Sequence, residues 1–267
     1  WRIARSGWRH PSHSVRTNRM KKLIAFDMDG TLAESKQRID DEMGALLARL
    51  TRLTTVAVIS GGDWPQFEKQ LVGALPTDAV RENFMVMPTT GTKLFRFEND
   101  AWTRVYAELF SGDERARILD SLNRAVDEAG LRVAEPYGEQ IEDRGSQITF
   151  SALGQQAPLA VKDKWDPDAA KRQALKALLH PMLPGFAINI GGSSSIDITR
   201  EGVDKGYAIG KLADATGIDR GDMLFLGDAI FPGGNDYPVK AAGIDTVRVR
   251  DVEETKRVIE AVCAWLG

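Results

Sequence analysis

The chain predicts an α/β protein: a parallel sheet covered by helices on both faces, interrupted by a separate α+β unit. Three observations carry this. The runs LIAF (23–26), TTVAVIS (54–60) and NFMVMP (83–88) are continuously apolar and alternate with helical patterns, as strands buried on both faces do. The character changes over roughly 95–198 and then the strand–helix alternation resumes. Three of the apolar runs end in acidic or hydroxyl residues, at Asp27 and Asp29, Ser60, and Asp228.

After the first strand, Gly30-Thr31 reads as a turn, and IDDEMGALLARL (39–50) has helical spacing. DWPQFEKQL (63–71) starts on Asp63 as a cap with Pro65 in the first turn. TKLFRF, Asn99-Asp100 and WTRVYAEL form a hairpin, assigned to the inserted unit. Residues 112–130 read as an exposed amphipathic helix, and SQITFSAL (146–153) alternates as a strand half open to solvent should. A helix over 166–179 and the strands FAINIGG and SSIDIT complete the unit, two helices against antiparallel strands. The parallel pattern resumes with a helix at 205–217, strands MLFLGD (223–228) and DTVRV (245–249), and a final helix, EETKRVIEAVCAWL. Such an insertion is tolerated where it enters an exposed loop.

Composition bounds the function. Hydrophobic residues at 43% and charged residues at 27% are those of a soluble globular protein, and no apolar stretch is long enough to span a membrane. The single cysteine, Cys263, reads as buried packing, which makes a cytoplasmic location the expectation. Residues 1–20 carry five arginines and no acid, so the net charge of −3 leaves −8 for the remainder. That body lacks the basic footprint of a nucleic-acid-binding protein. Residues 1–19 share their composition with organelle transit peptides, but with Met20-Lys-Lys opening an ordinary protein start they read as a disordered basic extension.

In an open parallel sheet, ligands bind beyond the carboxyl ends of the strands. Asp27, Asp29, Ser60 and Asp228 all fall there, and Lys205 begins the helix leading into the last of these strands. Burying unpaired carboxylates is expensive, and a shared Mg²⁺ ion accounts for them, since it favours one or two carboxylates together with water and substrate phosphate. Each residue alone has an ordinary explanation in turn or surface chemistry; the joint order D-x-D-G-T…S-G…K…G-D does not.

That set, FDMDGTL (26–32) with Ser60, Lys205 and Gly227-Asp228, resembles the haloacid dehalogenase superfamily of phosphotransferases. The resemblance implies a Rossmann-like catalytic core at 20–94 and 199–267, and an inserted cap of type C2B at 95–198. It implies Asp27 as nucleophile, Asp29 as general acid/base, and Ser60 and Lys205 as holders of the transferring phosphoryl group. It implies Mg²⁺ on Asp27, Asp228 and the Asp29 carbonyl, with Asn235 and Asp236 behind these ligands. The motifs ISGGDWPQFEKQL, EDRGSQITFSALGQ, IGGSSSIDIT and GDAIFPGGNDY are similar to those of the α-phosphomannomutases, over about 20–262. From that likeness Arg144 would grip the phosphate that is not transferred, and Ser195 and Asp197 would bind sugar hydroxyls. Three positions depart from the arginines of that family: Lys36, Gln155, and Lys162, which falls near the third. Lysine loses the planar fork that holds phosphate bidentately, and Gln155 loses the charge as well.

The weakened cation set places a Mg²⁺-dependent phosphatase acting on sugar phosphates first. A mutase interconverting hexose 1- and 6-phosphates is the alternative. A catalytically silent sugar-phosphate sensor comes third, because Asp27, Asp29, Lys205 and Asp228 are all present. The expected partner is a small phosphorylated metabolite, with no nucleic acid or membrane, and a homodimer through the cap is left open.

Overall fold

The computed structural model describes residues 20–267; the basic extension expected over 1–19 lies outside the described residues. The first half of the larger domain runs β1 (Leu23–Phe26), α1 (Asp41–Thr51), β2 (Thr55–Ile59), α2 (Trp64–Gln70), β3 (Phe84–Met87), a short turn α3 (Pro88–Gly91), β4 (Lys93–Glu98) and β5 (Ala101–Ala107). The inserted unit comprises α4 (Gly112–Glu128), β6 (Ile141–Asp143), β7 (Ile148–Ser151), α5 (Leu159–Trp165), α6 (Ala170–Leu179), β8 (Phe186–Ile190) and β9 (Ser195–Arg200). The chain returns through α7 (Lys205–Thr216), β10 (Met223–Gly227), α8 (Tyr237–Ala241), β11 (Asp245–Arg248) and α9 (Val252–Leu266).

The large sheet has the order β11-β10-β1-β2-β3-β4-β5, with its first five strands parallel. Both faces are covered, which is why these strands are apolar without alternation. Ile24, Phe26, Val56, Val58, Phe84 and Val86 pack against Met43 and Leu47 of α1, Phe67 of α2 and Ile259 and Cys263 of α9. The intervening residues, including Leu23, Ala25, Ala57, Ile59 and Phe225, pack on Ala208, Ile209 and Leu212 of α7 and Val239 of α8.

The hairpin β4–β5 corrects the expected boundary at residue 95. Asn99 and Asp100 make its turn at φ 51° and 59°, but β4 pairs antiparallel with β3 and extends the large sheet. Its aromatic residues hold it there: Phe95 stacks on Trp64 at 4.4 Å, and Trp102 meets Phe84 edge-on at 6.3 Å. The crossings into and out of the cap therefore lie at 108–111 and 201–204. Arg200 ties them together by donating to the carbonyls of Glu108 (3.1 Å) and Leu109 (2.7 Å) and pairing with Glu114 (2.7 Å).

The cap sheet is antiparallel in the order β6-β7-β9-β8. One face, Ile148, Phe150, Ile188, Ile196 and Ile198, packs on Ile118, Leu122 and Val126 of α4 and Leu175 and Leu179 of α6. The other face is polar, and its cross-strand row reads Glu142, Thr149, Asp197, Asn189. The expectation of a solvent-facing strand at 146–153 is corrected: all four residues of β7 are buried, because the polar face turns toward the larger domain rather than to water. Helix α5 went unanticipated, and α6 begins at Ala170 because Asp166 accepts from the backbone N–H groups of Lys171 and Arg172 instead of continuing the helix.

Candidate active site

Parallel β1, β2 and β10 bring Asp27, Ser60 and Asp228 to one edge of the sheet, and the first turn of α7 delivers Lys205 to the same place. Lys205 is only 3% exposed and donates to Asp27 Oδ1 and Asp236 Oδ1, each at 2.5 Å. Burial alone would lower the lysine's pKa, but the two carboxylates overcome that and raise it. Burial pushes the Asp27 carboxyl up to about 7, with Lys205 opposing the shift and Asp236 adding to it. Asp228 is also raised, by burial and then by Asp236.

Asp27, Asp228 and Asp236 each offer a carboxylate oxygen within 4.8 Å of the others. Three carboxylates against one lysine form a hard, oxygen-rich, over-negative donor set, which fits a divalent cation such as Mg²⁺. Asp236 is fully buried and both of its oxygens are in use, one on Lys205 and one on the Ala229 N–H at 3.0 Å. It holds the lysine in place. Asn235 beside it is exposed. Gly30, at φ +82°, makes the approach between the turn and Asp228 possible, since a Cβ there would lie 2.9 Å from Asp228 Oδ2.

The Asp29 side chain is outside this acidic cluster. Its Oδ1 accepts from the Lys36 N–H at 2.7 Å, fixing the loop after the turn. Lys36 Nζ then approaches the Gln155 carbonyl of the cap at 3.4 Å, and Lys162 Nζ donates to the same carbonyl at 3.0 Å. Lys36, Gln155 and Lys162, distant in sequence, therefore converge. Burial and then the neighbouring Lys36 lower the Lys162 pKa to about 8.

Ser60 is buried, and its loop is held by Thr89 and Thr90, whose N–H groups donate to Gly62 O and Ser60 O at 2.9 Å each. Both threonines are left-handed, at φ 50° and 56°, a costly conformation for β-branched residues and one found where a site over-determines the backbone. From the cap, Arg144 Nη1 donates to Gly61 O at 2.8 Å and Nη2 pairs with Glu142 at 2.6 Å. Asp197 accepts from Thr149 Oγ1 at 2.7 Å; burial raises its pKa while Arg144 opposes. Ser195 lies two residues before Asp197 in β9, on the same face.

Several residues at this junction were not anticipated. Lys93 bridges Asp63 (2.7 Å) and the Arg144 carbonyl (2.8 Å), and Thr89, Thr92 and Ser146 share a hydroxyl chain across the domain boundary. Gln147 donates to Gly61 O at 3.2 Å. Only the last had a signal in sequence, as the polar partner of Thr149 at spacing two.

A parallel sheet carrying this carboxylate–lysine edge beneath an inserted cap defines an enzyme of the haloacid dehalogenase superfamily. Solved structures share the fold. The N-terminally truncated IMP-nucleotidase of Plasmodium falciparum superposes with a TM-score of 0.67 at 17% identity, covering 91% of this chain and 70% of that one. A haloacid dehalogenase-like hydrolase from Bacteroides thetaiotaomicron gives 0.60 at 15% identity, covering 91% and 99%. Within the superfamily, the model of the eukaryotic phosphomannomutases matches residues 43–264, and the chain belongs to that family. Phosphomannomutase 1 of Mus musculus is 28% identical over 227 residues, 82% of this chain and 83% of the mouse protein. The phosphomannomutase of Encephalitozoon cuniculi is 24% identical over 254 residues, 92% and 95% of the two chains.

Proposed function

We propose that this protein is a Mg²⁺-dependent hexose-phosphate mutase, of phosphomannomutase type, working through an aspartyl-phosphate on Asp27. The observation that carries this reading is a second cationic group besides Lys205 at Asp27: Lys36 and Lys162 meet on the Gln155 carbonyl, where the loop after the first turn reaches the cap. A phosphatase needs the first site. An enzyme that holds a sugar bisphosphate needs both. This reverses the order of expectation drawn from sequence, where the missing arginines favoured a phosphatase; the two lysines supply cap charge after all, and the relatives are named as mutases.

In this reading Asp27 attacks phosphorus in its ionised form, kept so by Lys205, and the P–O bond to the sugar breaks. Asp29 gives its proton to the departing sugar oxygen and takes one back when the other sugar hydroxyl attacks the aspartyl-phosphate. Bound by Asp27, Asp228 and the Asp29 carbonyl, Mg²⁺ would supply charge neutralisation at the phosphoryl oxygens. Ser60 and Lys205 hold the transferring group, while Lys36, Lys162 and Arg144 steady the other phosphate. Ser195 and Asp197 receive sugar hydroxyls.

The phosphatase remains the second reading, on one observation: Gln155 presents an amide where a charged fork would bind phosphate more firmly. The deciding experiment follows one labelled phosphoryl group from a hexose bisphosphate. Return of most of it to sugar supports the mutase. Release of most of it to water shows that the chain is a phosphatase.

A further inference from the structure

We infer that Gln147 sets the hydroxyl pattern the site accepts, its amide oxygen taking a hydrogen bond from one hydroxyl of the sugar. The inference rests on the reading that a sugar phosphate binds between the cap sheet and the catalytic edge. Gln147 is 1% exposed, at the entry to β7, and its Nε2 donates both to Gly61 O (3.2 Å) and to Thr149 Oγ1 (3.1 Å).

Those two bonds fix which way the amide points. Thr149 commits its own hydroxyl proton to Asp197 Oδ1, so toward Gln147 it can only accept. The reversed amide would set its oxygen against a carbonyl and a hydroxyl lone pair. Nε2 therefore faces Gly61, and Oε1 points away from both acceptors. Among the described residues that Oε1 is buried and has no hydrogen-bond partner.

A buried, orphaned carbonyl oxygen is costly, and a ligand that donates to it recovers the loss. The chemistry of the wall says which kind of ligand. Glu142, Thr149 and Asp197 share the face with Gln147, and Gln147 and Asp197 both offer acceptor oxygens there. Acceptor oxygens of this kind suit the hydroxyls of a polyol, with the Arg144 guanidinium beside them as the cation of the wall. Gly61, to which Gln147 is tied, adjoins Ser60, so this acceptor lies where the cap sheet meets the edge that carries Asp27 and Ser60. A site built to pair a hydroxyl rejects the analogue without it, because its own acceptor is then left unpaired.

The test compares hexose phosphates with analogues each lacking one hydroxyl, reading kcat/KM for wild type and for Gln147→Met, which keeps the length and removes the acceptor. For wild type, one deoxy analogue should fall by roughly 5- to 150-fold, the range for leaving one buried polar group unpaired. In Gln147→Met that same penalty should vanish while the penalties at other positions persist, a pattern that a merely structural role would not produce. An equal penalty in both proteins overturns the inference. If Gln147→Met does not fold, Gln147→Asn decides: it keeps the amide but draws its oxygen back by one methylene, so the penalty at that one hydroxyl should weaken, and a penalty unchanged from wild type overturns the inference. Wild type inactive on every sugar phosphate would refute the substrate reading itself, a result distinct from activity with unchanged discrimination.

Discussion

Replacing Lys205 by methionine tests how the catalytic edge is held together. The lysine is the shared partner of Asp27 and Asp236, which are 5% and 0% exposed, so the substitution leaves two carboxylates buried side by side with no cation between them. Removing one partner of a buried ion pair costs about 3–5 kcal/mol. At about 2–4 °C per kcal/mol for a chain of this size, the melting temperature should fall by roughly 6–20 °C. The sign of the pH dependence follows from linkage. The Asp27 carboxyl is already raised to about 7 in the folded protein, and losing Lys205 raises it further. A carboxyl with a raised folded value binds more protons folded than unfolded, so the deficit should shrink as the pH falls to about 7 from the variant's still higher value, and below about 7 both proteins should gain stability in parallel down to the free aspartate value near 4. Added Mg²⁺ should also recover part of it at neutral pH. Thermal melts of both proteins from pH 5 to 8, with and without Mg²⁺, provide the measurement. A variant that melts within a degree or two of wild type throughout would refute the account of Lys205 as the charge that lets these aspartates be buried.

Asp27→Asn should abolish phosphoryl transfer with little change in melting, because the amide cannot attack phosphorus; a phosphate-transfer assay beside a melt checks it. Asp228→Ala should match the effect of EDTA on the wild type, and full turnover in excess chelator would contradict the metal assignment. Gly30→Ala, at φ +82° and 2.9 Å from Asp228 Oδ2, should cost about 1–2 kcal/mol of strain and raise the Mg²⁺ concentration needed for half activity. Lys162 loses its charge near pH 8, so KM for the sugar phosphate should rise as the pH passes upward through about 8, and Lys162→Gln should remove that inflection. Burial disfavours the charged Lys162 in the folded state, so its contribution to stability should increase, not decrease, between about 8 and the free-lysine value near 10.4.

The core of the fold was readable because β1, β2 and β3 are buried on both faces and say so through unbroken apolar runs. The meeting of Asp27, Ser60, Lys205 and Asp228 at one sheet edge was readable because they sit in local motifs at the ends of such runs, whereas the Asp29 side chain turns to the Lys36 N–H instead. The hairpin β4–β5 was misplaced because its allegiance depends on Trp64 and Phe84, which lie well before Trp102 in the chain, and no local pattern records that packing. Strand β7 looked half-exposed because alternation reports two unlike faces without saying what covers the polar one. The meeting of Lys36, Gln155 and Lys162 was implied by family resemblance but not by spacing, since it joins a core loop to the cap across more than a hundred residues.

The alternation in β7 also separates what the cap must conserve from what it is free to vary. Ile148 and Phe150 belong to the cap's apolar interior, while Thr149 and Ser151, interleaved with them, lie on its polar face. Selection on substrate preference can therefore rewrite every second residue of this strand, and its neighbour β9, while leaving the others to keep the cap folded. A library that randomises Gln147, Thr149, Ser151, Ser195 and Asp197 together changes one face of the sheet and no residue of the cap's hydrophobic core. Within this single sheet, adaptability and foldability are stored in alternate letters of the same short segments.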